Sequence, residues 1–122
     1  MTLAADIAVA LLAALHLYIL VLEMFLWTTP TGRRAFGLEP DFAQATRALA
    51  ANQGLYNGFL AAGLLWGLWL GWPAGQGAKL FFAGCVVVAG VFGAVTASRK
   101  ILFVQALPGA ITFALVLFAG AR

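Results

Sequence analysis

The chain has 122 residues, 64% of them hydrophobic and 9% charged. That charge content is far below the roughly 25% of soluble domains, which excludes an ordinary water-soluble globule, and the length allows one domain spanning 1–122. Seven basic residues against four acidic ones give a net charge of +3, but the basic residues lie scattered between apolar runs rather than in the contiguous patch a nucleic-acid surface needs, and read as topology signals and lipid-headgroup contacts.

The first apolar run covers about 3–27. It is too long for the apolar core of a signal peptide, and Asp6 stands where a basic n-region would be, so a retained helix is expected. Thr28-Thr29-Pro30-Thr31-Gly32 ends it with turn formers. Pro40 followed by Asp41 reads as a fresh helix start. The second helix is therefore expected over 40–70, with the apolar part at 49–70. Gly71 to Gly77 form a short Gly/Pro turn. A third run covers 79–97, Ser98-Arg99-Lys100 make a tight connection, and a fourth run covers 101–120. A helix needs ~20 apolar residues to cross the hydrocarbon core. Continuous rather than alternating runs favour helices over barrel strands. The expectation is an all-α integral membrane protein, a four-helix transmembrane bundle.

Arg33, Arg34, Arg47, Arg99 and Lys100 fall in or beside connections 1 and 3, against Lys79 and Arg122 on the other side. The positive-inside rule then puts connections 1 and 3 in the cytoplasm and both termini outside, with Trp27, Trp69 and Trp72 at the interfaces. Gly54 and Gly58, then Gly63, Gly67 and Gly71, recur four apart, a spacing that lets helices approach closely. Cys85, the single cysteine, reads as a small buried packing residue.

The polar residues inside the runs are the informative ones, because an ionisable group there usually faces a bundle interior. The first run holds His16 and Glu23, the second Asn52, Gln53, Tyr56 and Asn57, and the fourth Gln105. At ~1.5 Å per residue, Glu23 lies about 6 Å inside Trp27, Asn52 and Asn57 roughly 7 to 15 Å past Arg47, and Gln105 about 8 Å past Lys100. All fall in the cytoplasmic half. One reading is a polar pocket open to the cytoplasm, with Glu23 as its acid/base member, Asn52, Asn57 and Gln105 as hydrogen-bond formers, and Gln53, Tyr56 and His16 as further ligand-binding candidates. Arg47, Arg99 and Lys100 would then be a basic rim for an anionic group. The other reading is interhelical glue, since amides bond across helices for ~0.6 kcal/mol each. His16 has no second His or Cys at ligand spacing, so no metal site is expected. No nucleophile–base pair, P-loop or dinucleotide fingerprint is present.

His16 through Trp27, then Thr29-Pro30 and Gly32, and Ala50 through Ala61 together resemble the bacterial membrane family called domain of unknown function 1304, over essentially the whole chain. The segment Arg47 to Gly67, with Ala51-Asn52-Gln53, is also similar to the second helix of the membrane-associated eicosanoid and glutathione metabolism family, whose members are four-helix chains forming trimers with ligand sites between subunits. That likeness implies a homotrimer, glutathione as the candidate cofactor, Arg47 opening the motif and Asn52 at a glutathione-contacting position. Asn57 stands where the enzymes hold an acidic residue, and Arg99 in place of a thiolate-activating arginine. The chain departs from the enzymes at Ala50, Gly54 and Gly58, and at Ala94, Val95 and Thr96 where they carry tyrosines. The departures weigh against glutathione chemistry and fit a binding protein without catalysis.

Three functions follow from these readings: a binding protein or enzyme for a lipophilic or anionic small molecule, an accessory subunit of a larger membrane complex, and a small transporter component. Membrane lipids are partners in all three, and the bacterial inner membrane is the expected location.

Overall fold

The computed structural model describes residues 1–121, which form helices joined by turns and no strand. In chain order the helices are α1 (Thr2–Met24), α2 (Pro30–Phe36), α3 (Pro40–Ala45), α4 (Arg47–Leu70), α5 (Gln76–Thr96) and α6 (Leu107–Gly120), with a π-helical turn at Leu102–Ala106 leading into α6. Among the described residues, three helices are long and apolar enough to cross a membrane: Thr2–Met24, Gln76–Thr96 and Leu102–Gly120. At 24 residues α4 has the length, but Asn52, Gln53 and Asn57 dilute its first half and it is not among the three.

The surface is far more apolar than that of a water-soluble domain. The outward residues include Leu3 at 72%, Trp69 at 81% and Val95 at 82% exposure, whereas His16, Lys79 and Thr112 are buried. A surface this rich in large apolar side chains suits a hydrocarbon solvent and, with the three apolar helices, points to a membrane location.

Several boundaries differ from the sequence reading. The first helix stops at Met24 rather than Trp27. The Val21 carbonyl accepts from both Phe25 and Leu26, and the Leu26 carbonyl is taken by the Thr29 backbone N–H and hydroxyl, which closes the helix with a turn. Connection 1 is itself helical, because Thr29 caps α2 by accepting from the Gly32 N–H and Pro30 supplies a preset first turn. Gly37, at φ 66°, ends α2 in the left-handed region, which glycine adopts without penalty. The single helix expected over 40–70 breaks at Thr46. There the Thr46 hydroxyl donates to the Phe42 carbonyl at 2.7 Å and accepts from Trp27 Nε1 at 3.0 Å. The helix of the third apolar run, α5, begins at Gln76, ahead of Lys79.

The fourth run is continuous but changes register. The Leu107 N–H bonds to the Leu102 carbonyl, five residues back. Pro108 explains the wider turn: it has no N–H, and its ring collides with the carbonyl four residues earlier.

The chain folds as two compact units, Met1–Ala13 with the chain from Ala62 onward, and Ala14–Ala61. In the first, α5 packs along the π-helical turn and α6. A Cβ on Gly90 would run into the Ala106 backbone, so the helices meet backbone to backbone at that point. Cys85 is only partly covered, contrary to the buried position expected, and lies with Leu80, Phe81 and Phe113 on an apolar groove. In the second unit, Trp27 stacks against Phe36 at 4.9 Å between ring centres while bonding Thr46, so one side chain ties the end of α1 to α2 and to the α3–α4 joint.

Candidate functional site

The Ala14–Ala61 unit brings two of the expected site residues into direct contact. Asn57 Nδ2 donates to Glu23 Oε1 at 2.5 Å and to the Gln53 carbonyl at 3.1 Å. Both amide hydrogens are thus used, and the second bond holds the first in place. The approach is close because Gly54, one turn earlier on α4, lies against Glu23, Met24 and Leu20. The glycine spacing read from the sequence therefore has a specific role here: it brings α4 within hydrogen-bond reach of the carboxylate.

The other α4 candidates point away from that contact. Asn52, Gln53 and Tyr56 are exposed. Asn52 Nδ2 donates to the Ala48 carbonyl of its own helix at 3.1 Å, and the Tyr56 ring lies 6.1 Å from that of Phe59. Together they form a strip of two amides and a phenol beside the Glu23–Asn57 pair. Arg47 is exposed at the start of α4. His16 is fully buried on α1. Gln105 is half-buried on the π-helical turn, and Arg99 is exposed in the connection before it, both in the other unit.

A second polar cluster, in that other unit, was not expected as a cluster. Lys79 is buried and forms an ion pair with Asp6 at 2.7 Å, the Asp6 side chain being 34% exposed. Trp72 Nε1 donates to both Asp6 oxygens at 3.0 Å, and Lys79 Nζ sits 4.1 Å from the centre of the Trp72 ring. The cation therefore meets a carboxylate and a π face at once. Sequence reasoning assigned these residues separately, Asp6 against a signal peptide, Lys79 to the charge count and Trp72 to the interface. The signal that could have joined them is one acid and one base in different apolar runs, each too costly to bury alone. Lys79 consequently leaves the tally of topology-setting charges, and Arg122, the other basic residue on that side, lies outside the described residues.

A third feature is an open cavity of about 350 Å³ in connection 1, lined by Pro30, Arg33, Arg34, Gly37, Leu38 and Glu39. Arg33 Nε is buried and has no hydrogen-bond partner.

Comparison with known proteins gives the chain relatives but no activity. It is 31% identical over 102 residues to the uncharacterized protein YpaA of Lactococcus lactis, covering 81% of this chain and 85% of that protein. No solved structure matches it. The family model described as "Protein of unknown function (DUF1304)" matches residues 10–117, a span that takes in Glu23, Asn57 and the whole of connection 1, and the chain belongs to that family.

Proposed function

We propose that the chain is an integral protein of the bacterial inner membrane that binds a lipophilic small molecule with a hydrogen-bonding head group at the α4 polar strip. The observation that carries this reading is the Glu23–Asn57 bond flanked on the same helix by the exposed Asn52, Gln53 and Tyr56. In this reading α4 meets lipid, where amide atoms beyond the Asn52 Nδ2 bond to the Ala48 carbonyl are costly unless something bonds them. The carboxylate has one oxygen engaged by Asn57, which leaves acceptor capacity for a donor on the ligand. In this reading α4 is the fourth span of a four-helix bundle, its polar strip covered by ligand or by a neighbouring copy. A homo-oligomer is part of the proposal, a trimer being the form that the similarity to the eicosanoid and glutathione metabolism family implies. With Lys79 paired to Asp6, the basic residues left free to set orientation are mainly Arg33, Arg34, Arg47, Arg99 and Lys100, which supports cytoplasmic connections 1 and 3 and external termini.

Native mass spectrometry of the protein extracted mildly from its own membranes tests the proposal. A reproducible small-molecule mass is expected, lost in Glu23→Ala and in Asn52→Ala while the assembly persists. Retention of the same mass by both variants would refute it. The second reading, an accessory subunit of a larger complex, is favoured by Gly54, whose tight fit against Glu23 and Met24 also suits a purely structural contact. It is the reading to adopt if a fixed polypeptide partner copurifies and no small molecule does.

A further inference from the structure

We infer that connection 1 holds a binding site for the phosphate group of an anionic phospholipid, with Arg33 and Arg34 as the residues that grip it. The site is separate from the α4 strip. It starts from an unspent donor: Arg33 Nε is buried without a hydrogen-bond partner, and a buried donor of this kind in a native structure calls for a missing acceptor. Arg33 and Arg34 both line the cavity, and a guanidinium carries five N–H donors in a planar fork that matches phosphate oxygens. The opposing charge is Glu39, which also lines the cavity. It forms no ion pair with either arginine among the described residues, so the two cations remain available. At about 350 Å³ the cavity falls at the lower end of the ~300–1,000 Å³ of ligand sites, a size suited to a head group rather than a whole lipid.

The frame around it is fixed. Thr29 caps α2, and the Arg33 carbonyl accepts from both Gly37 and Leu38, which sets the turn that carries the cavity floor. Trp27 holds Phe36 and Thr46 on either side. The acyl chains have a place as well. Phe25, Phe36 and Phe42, in the same unit, are exposed at 69%, 40% and 56%. Exposed aromatic rings are unfavourable in water and ordinary in the headgroup zone, where amphipathic helices lie. That combination selects a lipid over a free phosphate as the source of the anion.

The test is lipid retention by the full-length protein in mild detergent, followed by native mass spectrometry while phosphatidylglycerol or phosphatidylcholine is titrated in. The wild type is expected to retain phosphatidylglycerol preferentially. Arg33→Gln/Arg34→Gln should weaken that retention by an order of magnitude or more, at about fivefold per arginine near a membrane surface. Arg99→Gln/Lys100→Gln, which removes the same charge from the other connection, should leave it unchanged. Glu39→Gln, an exposed change that removes the competing carboxylate, should tighten it. Equal loss in the two double variants would reduce the site to unspecific attraction and overturn the assignment, as would a Glu39→Gln protein that binds no more tightly. Complete displacement of the lipid by inorganic phosphate would assign the cavity to a soluble anion instead and overturn the lipid reading.

Discussion

Removing the Asp6 carboxylate should expose how unequal the two halves of an ion pair can be. Lys79 is fully buried, and its partner is about one-third exposed. Replacing Asp6 by Ala leaves the buried ammonium against the Trp72 ring without its carboxylate. Orphaning a buried charge costs ~3–5 kcal/mol. The exposed side of Asp6 weakens the pair by admitting solvent, and the residual contact with the ring offsets ~0.5–2 kcal/mol. A loss of about 2–3 kcal/mol is therefore expected for Asp6→Ala. The reverse change is milder. Lys79→Met keeps an unbranched apolar stem, and the partly exposed Asp6 retains both bonds from Trp72 Nε1, so the cost should stay below about 1 kcal/mol. The double variant should be no worse than Asp6→Ala alone and should recover most of its loss, giving a coupling of roughly 2 kcal/mol in the cycle. Reversible unfolding in mixed micelles with increasing dodecyl sulfate, read by circular dichroism, measures all four proteins. Equal losses in the two single variants, or a coupling near zero, would refute the reasoning, because either result means that the ammonium is hydrated rather than buried.

Other parts of the structure give shorter tests. Gly90→Val should destabilise the protein by ~1–3 kcal/mol, because the new side chain meets the Ala106 backbone, and the same unfolding assay reads it. Thr46→Val removes the acceptor for Trp27 Nε1 and should cost ~1 kcal/mol; a tryptophan fluorescence spectrum with no shift would show that the bond is not made in solution. Glu23→Gln keeps an oxygen for the Asn57 amide and should unfold within about 1 kcal/mol of the wild type, whereas Glu23→Ala should lose more. With Cys85 replaced by Ala, a cysteine introduced at Arg34 is expected to react with an impermeant maleimide in inside-out vesicles and not in intact cells. The opposite pattern would invert the proposed orientation.

The candidate site was legible in the sequence to a limited extent. Glu23 and Asn57 stand out as polar groups within apolar runs, and polar residues 34 apart that fall in the same half of the bilayer on different helices are natural partners. What the sequence could not tell was which neighbours of Asn57 join it. Asn52, Gln53 and Tyr56 fall on a common arc by helical periodicity, yet the close contact at Gly54 turns Asn57 toward α1 and leaves the other three exposed. A rotation of a few tens of degrees about the α4 axis decides this, and periodicity alone does not determine it.

The same division holds for the chain as a whole. Apolar run length is a local property, so the helical class, the membrane location and the antiparallel turn through Ser98, Arg99 and Lys100 follow from residues adjacent in sequence. Family membership is likewise carried by the ordered residues themselves. The Asp6–Lys79 pair joins positions 73 apart, and the break at Thr46 depends on a bond from Trp27, 19 residues earlier. Those features belong to the tertiary structure alone, because the free energy that makes a lysine acceptable inside an apolar bundle comes from a partner that the local sequence does not contain.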